Sequence, residues 1–103
     1  MDNLGHPFRP VHPGELLKDE LEYRRISQRS FALKLELPYT ALNEILNGKR
    51  PVTTDFALLM EAALGVPAYM LVGMQADYNL QVAQKDKALS KRLAEIRKVA
   101  ALF

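Results

Sequence analysis

The stretch SQRSFALKLELPYTALNEILNGKR, residues 27–50, decides how this chain folds. Ser27 is a good N-cap for a helix through about Leu35, in which Phe31, Ala32 and Leu35 recur at helical spacing. Pro38 opens a second helix with Leu42, Ile45 and Leu46 on one side, and Asn47-Gly48 supplies its stop. Only about three residues, Glu36-Leu37-Pro38, join the two, so they must cross sharply. Ala32 provides the small side chain such a crossing needs, and Phe31, Leu35, Leu37, Leu42 and Ile45 provide apolar anchors on both helices. The expected unit is a helix-turn-helix, which leaves the N-terminal half of its second helix projecting outward, free to enter a DNA major groove.

The outward positions are then Tyr39, Thr40, Asn43, Glu44 and Asn47. These side chains are of the types that read base edges: amides pair with adenine, a carboxylate with the cytosine amino group, and hydroxyls with either. Gln28, near the start of the first helix, is placed to reach a phosphate and to brace a base-contacting neighbour. Arg29, and Lys49 and Arg50 just past the second helix, are natural phosphate contacts. Bland readings stand beside these. Glu44 fits a solvated surface carboxylate as well as a cytosine reader, and Tyr39 fits packing against backbone as well as against a thymine methyl.

Outward from this unit, proline and glycine punctuate further helices. Residues 1–11 hold two prolines, Pro7 and Pro10, and no periodic apolar pattern, and read as an extended arm. His12-Pro13-Gly14-Glu15 is a helix entry, with proline at the first helical position and glutamate favoured by the helix dipole. Leu16, Leu17, Leu21 and Tyr23 form the apolar face of that helix. Thr53 caps another, running through Ala57, Leu58, Met60, Ala63 and Leu64 to Gly65, and Pro67 begins a fifth with Met70, Leu71, Met74 and Tyr78. Leu89, Leu93, Ile96, Ala100 and Phe103 then make a heptad-like stripe, on a sixth helix or a continuation of the fifth. No period-two run is long enough for a strand. The fold expected is an all-α, compact bundle of five to six helices. It divides into the arm (1–11), a DNA-binding domain (12–84) and a basic amphipathic tail helix (85–103).

Charge and composition narrow the function. The 103 residues carry a net charge of only +2, too mild as a total to announce a nucleic-acid partner. Its distribution is more informative. Residues 1–23 sum to −3, residues 24–50 to +4, residues 51–84 to −3 and residues 85–103 to +4. The first basic block coincides with the helix-turn-helix. There is no cysteine, which removes disulfides, thiolate metal sites and cysteine nucleophiles, and suits a reducing cytoplasm. No signal-peptide-like stretch occurs in the first 25 residues, and the most apolar segment, Ala62 to Met74, is too short for a bilayer and broken by Gly65 and Pro67. A cytoplasmic protein without a membrane partner is expected. His6 and His12 both precede proline near a terminus expected to be mobile, and make a poor metal site. Ser27, Ser30 and Ser90 have no neighbouring histidine, and no glycine-rich phosphate loop is present. Neither an enzyme nor a cofactor is indicated.

Gln28-Arg29-Ser30-Phe31-Ala32, followed by Leu35, Leu37, Leu42, Ile45 and Asn47-Gly48, resembles the Cro/phage-repressor class of helix-turn-helix proteins, which implies that the bundle is of the lambda-repressor-like DNA-binding type. The flanks narrow the likeness. His12-Pro13-Gly14-Glu15, Asn43-Glu44-Ile45-Leu46-Asn47-Gly48-Lys49-Arg50 and Gln75-Ala76-Asp77-Tyr78-Asn79-Leu80 resemble HigA-type antitoxins of plasmid-maintenance systems, over about residues 10 to 84. The resemblance implies a homodimeric repressor of its own promoter, bound to a palindromic operator of double-stranded DNA. It further implies a co-encoded HigB-like, mRNA-cleaving toxin as protein partner. The turn of that family usually carries glycine where this chain has Glu36, a mildly costly choice if φ there is positive. An aromatic pair of the family's fifth helix is replaced by Met70-Leu71, and the tail beyond Gln84 lies outside the resemblance.

Two other readings remain open at this level: a phage-like regulator with no toxin, and a helical protein-interaction bundle that binds no DNA. The tail stripe likewise has three possible occupants, namely the protein's own core, a second protomer or a toxin.

Overall fold

The computed structural model describes residues 9–103, and every regular element in them is an α-helix. Helix α1 spans Pro13–Tyr23, α2 Gln28–Leu35, α3 Tyr39–Leu46, α4 Thr54–Leu64, α5 Ala68–Gln84 and α6 Lys87–Ala100. The expectation of an all-α bundle of five to six helices holds, with six among the described residues. The tail stripe sits on a separate helix, because Lys85 closes α5 and the Asp86 carboxylate caps α6, accepting from the Leu89 N–H at 3.0 Å. His6 and most of the expected arm fall outside the described residues.

Local chemistry fixes both ends of the helix-turn-helix. The Ser27 hydroxyl accepts from the Ser30 N–H at 3.1 Å and starts α2. Helix α2 stops at Glu36, which adopts the left-handed conformation with φ 57°. The Leu37 N–H then folds back to the Ala32 carbonyl at 2.8 Å, the wrap-around bond of a Schellman ending. Two neighbouring helices end the same way. Arg25 (φ 58°) follows α1 with Ile26 N–H donating to the Leu21 carbonyl at 2.9 Å, and Gly48 (φ 75°) follows α3 with Lys49 N–H donating to the Glu44 carbonyl at 2.8 Å. Repeated tight reversals of this kind let helices of 8 to 11 residues pack around one small centre.

That centre is formed by Leu17 and Leu21 of α1, Leu42 and Leu46 of α3, Met60 of α4 and Leu71 of α5, all essentially inaccessible. Helix α1 packs on α3 and α5, α2 on α3, and α4 on α5. Ala32 is buried, as the close crossing requires. Some expected core positions are not in the core. Tyr23 is 86% exposed, because at 100° per residue it lies beside the half-buried Leu16 and well away from Leu17 and Leu21. Leu58 and Ala63 also face outward from α4, and Phe56, Val52 and Val66, absent from the expected face, complete the cluster. Helix α6 buries no residue at all and packs chiefly on α5.

Glu36→Gly tests the turn. It relieves the left-handed strain without touching the core, so stability rises by about 0.5–1 kcal/mol. Urea unfolding of the variant is expected to give a higher midpoint with an unchanged slope; an unaltered or lower midpoint refutes the strain.

Candidate nucleic-acid interface

Helix α3 presents its N-terminal half outward while Leu42, Ile45 and Leu46 hold its other face in the core. Thr40 is exposed there, one turn before Asn43. The Asn43 amide does not hang free: its Nδ2 donates to Gln28 Oε1 at 2.9 Å. That bond uses one amide group from each residue and leaves the Asn43 carbonyl oxygen and the Gln28 amino group available, so Asn43 is held in one rotamer before any ligand arrives. Gln28 sits at the first position of α2, so the two helices fix both ends of this pair.

Tyr39 packs against the edge of the core, and the Arg29 guanidinium lies 4.3 Å from its ring centroid. The contact is worth about 0.5–1 kcal/mol at an exposed site and aims the cation along the outer surface. Arg50 and Glu44 form a half-exposed ion pair, Nε to Oε1 at 2.5 Å. Pairing of this kind contributes little to stability, about 0–1 kcal/mol, so a phosphate can replace the carboxylate at small cost. It also masks Glu44, whose charge would otherwise repel a phosphate backbone. Lys49 is exposed on the same loop.

Asn47 lies at the far end of α3 as its C-cap, and both ends of its amide are engaged. Its Nδ2 donates to the Asn43 carbonyl at 2.9 Å, and its Oδ1 accepts from Lys18 Nζ at 3.2 Å. Lys18 thus places a cation beside the carbonyl end of α3, where the helix dipole favours it. Sequence reasoning passed over this residue because 29 positions separate it from its partner and its own helix is otherwise acidic.

The structure thus gathers Gln28, Arg29, Tyr39, Thr40 and Asn43 at one end of α3 and Glu44, Asn47, Lys49 and Arg50 at the other. The loop carrying Lys49 and Arg50 is itself clamped from two sides. Val52 N–H donates to the buried Gln75 Oε1 at 2.8 Å, and Gln75 Nε2 donates on to Asn79 Oδ1 at 3.0 Å. On the other side stands His12. Far from being part of a mobile terminus, it is 2% exposed. Its Nδ1 accepts from the Gly14 N–H at 2.9 Å, its ring meets the Tyr78 ring edge-on at 4.9 Å, and it hydrogen-bonds the Arg50 backbone. The ring also lies against Gly48. One buried imidazole therefore ties the start of α1, the loop after α3 and the middle of α5 together. Burial lowers the His12 pKa, outweighing the Arg50 backbone bond and the nearby Glu15 carboxylate, which raise it.

Among the described residues, no group of three or more histidine, aspartate or glutamate side chains is arranged to hold a metal, and no helix is long and apolar enough to cross a membrane.

Outward-facing polar residues on a short second helix, one of them held in place by a partner on the first, with cations at their flanks, are the construction of a helix-turn-helix DNA-binding domain. Residues 17–71 match the helix-turn-helix family HTH_3, and the chain belongs to that family. Over 78 residues it is 35% identical to virulence-associated protein I of Dichelobacter nodosus, covering 75% of this chain and 72% of that protein. Its structure is similar to that of an addiction module antidote protein of the HigA family from Coxiella burnetii, with a TM-score of 0.74 and 31% identity over 85% of this chain and 95% of the other. It is also similar to the Pseudomonas aeruginosa antitoxin HigA, solved with the higBA promoter, with a TM-score of 0.73 and 30% identity over 82% and 91% of the two chains. The protein is a DNA-binding regulator related to the HigA antitoxins, in a non-enzymatic family.

The buried imidazole gives the fold a pH dependence with a definite sign. Because the folded-state pKa of His12 lies below the unfolded value of about 6.5, the unfolded chain binds the extra proton first. Stability is therefore fully present above that value and falls as the pH drops below it, by up to about 1.4 kcal/mol per pH unit for one proton. The Glu15 pKa is lowered by its bond to Arg9, and that contribution is lost only in the more acid range below about 4.5. Urea titrations at pH 7.5 and 5.5 are expected to show the His12 slope in the native chain and not in His12→Asn, which keeps a capping acceptor but cannot titrate. An equal slope in both proteins refutes the assignment.

Proposed function

We propose that this protein is the antitoxin of a toxin–antitoxin module: a homodimeric, sequence-specific repressor that binds a palindromic operator in its own promoter and neutralises a HigB-like, mRNA-cleaving toxin in the cytoplasm. The observation that carries the DNA reading is the Gln28–Asn43 bond, which holds a base-reading amide in place on the exposed half of α3. Two-fold symmetry sets two such helices into successive major grooves, roughly 34–36 Å apart. Asn43 reads a base edge, most naturally adenine, with Thr40, Tyr39 and Glu44 beside it. Asn47 contributes a base contact only on exchanging its bonds to Lys18 and the Asn43 carbonyl. Gln28, Arg29, Lys49 and Arg50 hold phosphates, with Arg50 released from Glu44 by the incoming anion.

The toxin partnership rests on the likeness to HigA proteins along most of both chains, and acidic α1 offers a surface that suits a basic, RNA-binding partner. A phage-like regulator with no toxin is the second reading, favoured by nothing in the geometry over the first.

Two substitutions separate reading from holding. Asn43→Ala is expected to relax discrimination at one operator position, costing about 1–3 kcal/mol on the operator and little on random DNA. Lys49→Ala weakens binding to all sequences and reduces the salt slope by about one. Gel shifts on the protein's own promoter region, titrated with salt, measure both, and an equal loss on operator and random DNA for Asn43→Ala overturns its role. Co-expression with the adjacent reading frame tests the partnership: co-elution of a small basic protein is expected, and an antitoxin that always elutes alone points to the regulator without a toxin.

A further inference from the structure

Helix α6 is a 14-residue amphipathic helix with no buried residue; of its apolar stripe Leu93 is half-buried, Leu89 and Ile96 are 38% and 45% exposed, and Phe103, just past the helix, is fully exposed. Stripes of this shape pack against something. Pairing with the same helix of another copy is opposed by charge. With Leu93 and Ile96 at the a and d positions of the seam, Arg92 and Arg97 flank it at g and e. A parallel pair sets Arg92 against the Arg97 of the other copy, and an antiparallel pair sets each arginine against its own equivalent. The surface that receives α6 must therefore be apolar with an acidic border.

The chain carries one such surface. Leu16, Asp19, Glu20 and Tyr23 recur at helical spacing along a single side of α1, and the groove beside them is completed by Val11, by Met74 of α5 and by the Arg9–Glu15 ion pair. Tyr23 and Val11 are exposed apolar side chains with no role in the DNA-binding face, and Asp19 is an exposed carboxylate. With Arg9 paired to Glu15 and Arg24 to Glu20, the exposed Asp19 carboxylate between Leu16 and Tyr23 is the charge this groove offers to the arginine borders of α6, beside apolar side chains for its stripe. In the same chain α6 packs chiefly on α5.

We propose that α6 of one protomer docks in the α1–α5 groove of a second copy, so that two chains exchange their tails. The inference rests on the homodimer reading above and specifies how the dimer is built. It gives the second basic block, residues 85–103, a role in assembly, with Arg92 and Arg97 meeting the other copy's Asp19.

The absence of cysteine makes the test clean. Full-length Tyr23→Cys and Ile96→Cys chains are prepared separately, mixed and oxidised, with light scattering on the unmodified protein in parallel. A dimer in solution, and a disulfide that forms in the mixture at least tenfold faster than in either variant alone, are expected. Arg92→Glu with Arg97→Glu weakens dimerisation at least tenfold, and adding Asp19→Lys restores it. A dimer whose Ile96→Cys chains link to each other as fast as to Tyr23→Cys overturns the exchange and leaves the homodimer standing. A monomer in light scattering overturns both. A Tyr23→Cys/Ile96→Cys double variant that closes its disulfide within one chain shows the tail folding back on its own groove, and also overturns the exchange.

Discussion

The structure depends on the contact between the first turn of α1 and the last turn of α3. A Cβ on Gly14 would stand 1.9 Å from the Ile45 carbonyl oxygen, so only glycine permits the two backbones to meet there. The entry His12-Pro13-Gly14-Glu15 then has three tasks in four residues. Proline sets the helical φ, glycine allows the approach, and His12 caps the helix while its ring fills the space against Gly48 and Tyr78. Glu15 completes the cap by accepting from the His12 N–H at 3.4 Å and is held by Arg9 through two bonds of 2.9 Å. Loosening this contact would free α3 to roll, and every side chain on its outer half would move with it.

The same contact explains why cations and base-reading groups share one surface although the chain is nearly neutral. Two of the six cations of residues 24–50 are already engaged in ion pairs. Arg24 is paired with Glu20 and donates to the Leu64 carbonyl at 2.6 Å, tying the end of α1 to the end of α4. Arg50 is paired with Glu44. Arg25, Arg29, Lys34 and Lys49 remain, and of these Arg29, aimed by the Tyr39 ring, and Lys49 flank the outer face of α3. Net charge is a poor guide to such a surface, because internal pairing decides which cations are available.

The helix-turn-helix was legible in the sequence because its determinants are local: Ser27 as cap, Ala32 at the crossing, Glu36-Leu37-Pro38 as the turn, and apolar anchors at helical spacing. At Glu36 the sequence left two outcomes open, a positive φ as in the glycine of the resembled family or a different turn, and the structure has the positive φ. Tyr23 was misplaced because both stripes of α1 have the right spacing, and only contacts with α3 and α5 decide which is buried. The roles of His12, Lys18 and Gln75 depend on partners 23 to 66 positions away, Gln75 with Val52 and His12 with Tyr78. Periodicity carries no information about such pairs. The motif Gln75 to Leu80 was conspicuous in the sequence, yet its physical task, clamping the loop after α3, emerges only when α5 is laid beside that loop.

Helix α6 shows how differently stability can arise along one chain. Helices α1 to α4, of 8 to 11 residues, and the 17-residue α5 take their order from a shared core. Helix α6 has the opposite balance: an Asp86 cap, Arg97 and Lys98 in its last turn where the dipole favours cations, residues of good helix propensity, and no core contact. An isolated helix of this length is marginal in water even for favourable sequences. Its local signals therefore define where it starts and ends, and tertiary packing must supply the rest. A chain that kept such a helix only for solubility would have no use for a leucine, isoleucine and phenylalanine stripe on it. The stripe, bordered by arginines that forbid pairing with itself, is what a surface looks like when its partner is apolar and acidic.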